Sequence, residues 1–172
     1  LAAGYPGIVT RKDSSADAST VTFGDGSTLP LDDGRGLKTF DDWLAAPDIE
    51  DMFRTPYPAG AAITAPPENS DPGRARNEVF FTKVYGDCRK GEVIKNLVDV
   101  TWLPEKGGVR LQVTRLNGVA AKLQAVSDAL DKLPARFDVY LTPPAGTYNC
   151  RAIAGTSQLS AHGYGIAIDI AT

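Results

Sequence analysis

Prolines at 56, 58, 66, 67 and 72 interrupt this chain more firmly than any other feature of it. Each lacks a backbone N–H and holds φ near about −65°, so neither a helix interior nor a central strand runs through the stretch. Alanine, glycine and asparagine fill much of the space between them, with Pro66-Pro67 at the centre. Regular structure is expected to stop before residue 56 and restart afterwards. The reading that follows has three parts: a hairpin and short helices over residues 1–55, a surface linker over 56–70, and a main domain over 71–172. A chain of 172 residues is the size of one domain with a short appendage.

The 42% hydrophobic content is enough to bury a core. Lys and Arg number 18 against 21 Asp and Glu, a net charge of −3, so the basic excess of a nucleic-acid or anionic-membrane binder is missing. No nucleic-acid partner is expected. The longest apolar runs, such as residues 165–171 with Asp169 inside, fall far short of the roughly 20 residues that span a bilayer, so no transmembrane segment is expected. Leu1-Ala2-Ala3-Gly4 has the small-residue character of the tail left by a cleaved export signal, and an arbitrary chain boundary would look the same. The expectation is an exported protein, periplasmic or extracellular. Cys88 and Cys150 lie 62 positions apart. They form either one disulfide, stabilising by about 4 kcal/mol in the chain-entropy account, or two inert buried thiols. There is no Cys-x-x-Cys pair, so a zinc knuckle or thioredoxin-type site has no support.

Residues 7–30 alternate around Asp25-Gly26, with Val21 and Phe23 sharing a face, which predicts a small hairpin decorating the main domain. Thr39 before Phe40, Asp41 and Asp42 predicts a capped short helix, and Pro47 begins a second helical piece through Ile49, Met52 and Phe53. Asp71 is placed to cap a helix with Pro72 in its first turn, carrying Phe80, Phe81, Val84 and Tyr85 and ending at Gly86. Residues 97–103 and 109–113 flank a turn and predict an antiparallel pair. Asn117 is expected to cap the most regular helix, with Val119, Leu123, Val126, Leu130 and Leu133 as its core face. A further strand is expected over 137–141, and residues 146–172 alternate turn residues with short strand-like pieces. Helices and strands in mixed order predict the α+β class, an antiparallel sheet with flanking helices.

The chain has one histidine, His162, in the segment Ser160-Ala161-His162-Gly163-Tyr164-Gly165-Ile166-Ala167-Ile168-Asp169. In a strand from Gly165, residues Ile166, Ile168 and Ile170 share one face, while Ala167 and Asp169 share the other. A carboxylate among so many apolar residues needs a cation, a metal or hydrogen-bond donors to offset its burial. His162 precedes it by seven residues, which puts the two on opposite faces of a continuous strand unless Gly163-Tyr164-Gly165 re-aims the ring. Imidazole plus carboxylate suits zinc. The bland alternative is a structurally hydrogen-bonded histidine and an aspartate satisfied by backbone N–H groups or an arginine.

Ser-x-His-x-x-Gly-x-Ala-x-Asp, matched at Ser160, His162, Gly165, Ala167 and Asp169, resembles the signature of the zinc D-Ala-D-Ala carboxypeptidase and L-alanyl-D-glutamate peptidase family. At ordinary residue frequencies the match arises by accident with a probability on the order of 10⁻⁴. Residues 146–151, ending Cys150-Arg151, look like that family's strand carrying an active-site arginine, and residues 71–140 look like its exported bacterial branch. The resemblance implies a Hedgehog-like α+β fold, incomplete at the C-terminus, and hydrolysis of D-amino-acid-containing peptidoglycan stem peptides with a zinc cofactor. It implies His162 and Asp169 as metal ligands, Arg151 as the catalytic group that polarises the scissile carbonyl, and Ser160 as a substrate contact. Ion-pairing for Arg151 and turn-capping for Ser160 are the plainer roles.

The family places its general-base Glu and third ligand His in a Glu-x-x-His-type segment downstream of the Asp, and no second histidine occurs here. The expectation is therefore a parent enzyme cut short, with this chain itself inactive and an apolar edge exposed over residues 165–171. Extensin-like bacterial domains share a similar Cys-Arg and Ser-x-His pattern, so a non-catalytic cell-wall-binding or extensin-like envelope domain is the alternative. A Cys88–Cys150 bridge would hold the segment around Arg89 close to Arg151.

Overall fold

The first sheet joins a polar first strand to a second that is rich in β-branched residues. The computed structural model describes residues 1–15, 18–55, 60, 64–65, 67–70 and 73–170. Val9–Ser15 (β1), Ala18–Phe23 (β2) and Thr28–Pro30 (β3) form an antiparallel meander in the order β1-β2-β3. Asp25 closes the β2–β3 turn by accepting from the Ser27 backbone N–H at 3.1 Å and hydroxyl at 2.7 Å, with Gly26 at φ 81°. The expected hairpin thus gains a third strand. Its inner residues Val9, Val21 and Phe23 are buried, and so are Trp43, Ile49 and Phe80.

Phe40–Ala45 (α1) starts where predicted, with the Thr39 hydroxyl accepting from Asp42 N–H at 3.2 Å. The second helical piece is a single 3₁₀ turn, Asp51–Phe53. Most of the expected linker, and Asp71 and Pro72, lie outside the described residues. Glu78–Tyr85 (α2) is capped by Asn77, whose side-chain oxygen accepts from Phe80 N–H at 2.8 Å while its amide donates to the Pro47 carbonyl at 3.0 Å. The chain falls into two compact units, Leu1–Phe80 and Phe81–Thr172. That division is later than the proline-rich stretch because Asn77 and Phe80 belong to the first unit: Phe80 packs edge-on against Tyr5 at 5.0 Å and beside Phe23 at 5.9 Å.

In the second unit the predicted antiparallel pair is present. Leu97–Trp102 (β4) faces Val109–Thr114 (β5) in a register that sets Thr101 against Arg110. Val119–Asp131 (α3) covers it, and Trp102, Leu103, Leu111 and Leu141 form the core with Leu123, Leu130 and Ile168 packed against them. Asn117 is not the cap: it sits at φ 52° within a 3₁₀ turn, and Gly118 at φ 69° takes the cap position. The apolar stripe is only partly the inner face, since Val126 is 51% exposed and Leu133 37%. Polar side chains share that inner face. Gln124 pairs with both the N–H and carbonyl of Thr101, at 3.1 and 3.0 Å. Ser127 accepts from Leu103 N–H at 2.7 Å and Asp131 from Glu105 N–H at 2.6 Å. The helix satisfies the free edge of β4, which otherwise leaves backbone groups unpaired.

Residues 137–141 are not a strand. Ala135–Tyr140 winds as a 3₁₀ helix after Pro134, and the Asp138 carbonyl accepts from both Leu141 and Thr142 N–H at 2.9 Å. Val139 and Tyr140 are exposed, so no sheet takes their apolar groups. Pro144–Gly146 (β6) pairs with Asp169–Ile170 (β7), so the described residues form three small antiparallel sheets in place of one. Mixed helices and antiparallel strands make this an α+β chain. Among the described residues no helix is long and apolar enough to cross a membrane.

Candidate metal centre at His162 and Asp169

The turn that carries His162 is fixed at each end. Residues 149–153 run antiparallel to 158–162: Asn149 N–H donates to the His162 carbonyl at 3.1 Å, Ser160 N–H to that of Arg151 at 3.0 Å, and Ile153 N–H to that of Gln158 at 2.9 Å. From Ser160 the chain enters a 3₁₀ turn, Ala161–Tyr164, which closes on Gly165 at φ 68°. A side chain at Gly165 is excluded twice: the left-handed backbone strains it, and its Cβ would lie 3.0 Å from Leu97 Cδ2 and 3.1 Å from the Thr114 nitrogen. Gly165 also accepts from Thr114 N–H at 3.0 Å, which ties the turn to β5. Tyr164 is fully buried beside Phe81 and Tyr85, with ring centroids 5.7 and 6.3 Å away.

Within this frame the His162 ring is buried and both its nitrogens face oxygen. Nδ1 lies 2.5 Å from the Thr147 carbonyl, and Nε2 lies 3.3 Å from Asp169 Oδ2. A carbonyl only accepts, so Nδ1 carries the hydrogen. Nε2 then faces a carboxylate oxygen. A proton on Nε2, making an ordinary imidazolium–carboxylate pair, or a metal between the two satisfies both atoms. Tetrahedral zinc with ligands at about 2.0–2.1 Å separates neighbouring donor atoms by about 3.3 Å, so the donor chemistry and spacing fit that ion. The Thr147 carbonyl supplies the outer hydrogen bond that metal-binding histidines use to fix tautomer and ring orientation. Thr147 is itself buried, with its hydroxyl donating to the Gln112 carbonyl on β5. The Asp169 side chain is 48% exposed, so the pair opens to solvent on the carboxylate side.

The strand expected from Gly165 is shorter than the alternation suggested. Only Asp169–Ile170 pairs, against β6, and residues 166–168 run half-buried without a ladder. Ile168 reaches the core, while Ile170 is 39% exposed. The turn re-aims the histidine, as the glycines permit. Of the other expected site residues, Arg151 is exposed and its side chain has no ion-pair or hydrogen-bond partner among the described residues. Ser160 is buried at the entry to the turn and its hydroxyl makes no capping bond, so it suits a place in the scaffold better than one facing substrate. Cys88 and Cys150 form the disulfide. Thr147 was not legible as a site residue, because a backbone carbonyl leaves no mark in the residue type.

A second group of potential ligands lies in the first unit, where Asp32, Asp33 and Asp48 approach one another. Lys38 already supplies its cation. The Lys38 side chain is 3% exposed, with Nζ 2.9 Å from Asp33, 3.0 Å from Asp48, and in contact with Asp51. Burial pulls the Lys38 pKa down, but hydrogen bonds to Asp51, Asp33 and Asp48 outweigh it and hold the ammonium well above the ordinary lysine range. Asp33 is held well below the usual carboxylate range by Arg35 and then by Lys38. No known family's sequence profile matches this chain, and neither do the curated proteins or the solved structures compared with it.

Proposed function

We propose that this chain carries part of the active site of a zinc-dependent peptidase, a carboxypeptidase or endopeptidase that hydrolyses D-amino-acid-containing peptidoglycan peptides. The fold assigned with it is the Hedgehog-like one of the D-Ala-D-Ala carboxypeptidases. The observation that carries the reading is the His162–Asp169 pair: an imidazole nitrogen and a carboxylate oxygen 3.3 Å apart, with the ring's other nitrogen anchored by a carbonyl. The Ser160 to Asp169 pattern supports it from the sequence side. A disulfide suits the oxidising compartment in which such a substrate lies, which supports an exported location.

On this reading His162 Nε2 and an Asp169 oxygen hold the metal. Zinc, when bound, supplies a Lewis acid that polarises the scissile carbonyl and lowers the pKa of a water toward about 7. Thr147 keeps the imidazole in the tautomer that leaves Nε2 free. Arg151, exposed and without a competing carboxylate among the described residues, offers a fixed positive charge to the oxygen on which charge develops. Hydrolysis further requires a third ligand and a general-base carboxylate, which the resemblance puts in a Glu-x-x-His-type segment beyond Asp169. The presence of only one histidine favours a second reading, a wall-binding domain that recognises the same peptides without cutting them.

Zinc titration by calorimetry tests the reading, on this chain and on one continuing past Thr172, with His162→Ala as control. Histidine-dependent binding is expected. Binding that His162→Ala leaves untouched, or none in either chain, would overturn the peptidase reading.

A further inference from the structure

Cys88 and Cys150 are bridged beside the turn that carries His162. Cys150 stands between Asn149, whose N–H donates to the His162 carbonyl, and Arg151, whose carbonyl accepts from Ser160. Cys88 is buried and begins the 3₁₀ turn Cys88–Lys90, which Asp87 caps by accepting from Arg89 N–H at 2.9 Å. Its sulfur lies against Gly163. A methyl group there would come 3.2 Å from Cys88 Sγ and 2.9 Å from the Leu159 side chain, so glycine is what lets the turn close on the bridge. Tyr164 and Gly165 anchor the exit of the turn, whereas the bridge and its flanking ladder anchor the entry and His162 itself.

From these placements we infer that the Cys88–Cys150 disulfide is a positioning element for His162. It holds the ring in the orientation in which Nδ1–H meets Thr147 and Nε2 meets Asp169, and Gly163 is the contact through which it acts. The inference rests on the metal-site reading above. Groups that orient a metal ligand from behind are worth about 10- to 100-fold in metal affinity, and the bridge acts at that level.

The single histidine makes the test direct, since the chain shows one imidazole pattern in long-range ¹H–¹⁵N NMR. The metal-free protein is expected to keep Nδ1 protonated against the Thr147 carbonyl, so that whatever neutral ring is present is the Nδ1–H tautomer alone. In the double variant Cys88→Ser, Cys150→Ser, both tautomers are expected, with histidine-dependent zinc affinity falling about 10- to 100-fold while circular dichroism stays native. Gly163→Ala keeps the bridge but crowds its sulfur, and is expected to move both readings the same way. A double variant that keeps the single tautomer and the zinc affinity overturns the inference and leaves the metal reading standing. Wild-type protein without histidine-dependent zinc binding overturns the metal reading, and the tautomer change still decides whether the bridge positions the ring. If the double variant does not fold, Gly163→Ala decides alone: an unchanged tautomer and affinity there overturn the inference.

Discussion

Lys38 and His162 each sit in a ring of oxygens, and the two surroundings are opposite in kind. Around Lys38, three carboxylates converge on an ammonium that belongs to the chain, and Asp48 and Asp51 also accept each other's backbone N–H groups at 2.8 and 3.0 Å. That network is closed. Around His162, a carbonyl accepts from Nδ1 and a half-exposed carboxylate faces Nε2. A proton or a metal can join that pair. The difference between the two is that the acids around Lys38 already hydrogen-bond an ammonium of the chain, although three carboxylates outnumber it, whereas the single acid at His162 faces only a ring nitrogen.

Removing the internal cation should give the largest effect. Lys38→Met is expected to cost about 3 kcal/mol or more in denaturant unfolding, because it leaves buried carboxylates uncompensated. Added calcium is expected to restore part of the loss in the variant and do nothing for the wild type. A calcium response in the wild type would break the contrast. Gly165→Ala is expected to cost about 1–3 kcal/mol, from the positive φ and the approach to Leu97 and Thr114, and to weaken zinc binding alongside. Both are read by unfolding and titration.

The Lys38 network also sets a pH signature. Its raised pKa means that its contribution is whole below the ordinary lysine value of about 10.5 and fades as pH rises through the folded-state value. Asp87, held down by the Arg89 hydrogen bond, contributes above the ordinary carboxylate pKa and fades as pH falls through its own lowered value. Melting of the wild type is thus expected to decline at both extremes, and Lys38→Met to lessen the alkaline decline. Asp169→Asn should have the smallest effect on stability, within about 0.5 kcal/mol for so exposed a side chain. It should nonetheless weaken zinc binding at least about tenfold, as the loss of one of two ligands requires. Unchanged zinc affinity in Asp169→Asn would remove the distinction between the two regions.

The sequence made local chemistry legible where it acts over a few residues. Thr39, the Asp25-Gly26 turn and the β4–β5 pair each follow from neighbours in the chain, and each is found. The reading failed where distant partners decide. Residues 137–141 have strand-like composition, but none of the described strands pairs with them, so the main chain bonds locally as a 3₁₀ helix. Val126 fits the apolar stripe of α3, yet Gln124, Ser127 and Asp131 turn the helix toward the polar edge of β4. At the candidate site, the glycines around Tyr164 announced the turn, and residue types announced His162 and Asp169. The carbonyl of Thr147 and the sulfur against Gly163 belong to the fold, and no pattern of letters encodes them.

The β4–β5 hairpin has a consequence for how any peptide would bind. Gln124 and Ser127 occupy the outer backbone groups of Thr101 and Leu103, while Thr147 and Gly165 occupy those of Gln112 and Thr114. Side chains and turns thus already take outward-facing backbone groups on both strands. An extended peptide lying along this ribbon as one more strand, the common way in which sheets recruit peptides, would have to displace those bonds first. The same bonds work against neighbouring copies zipping together along these two strands.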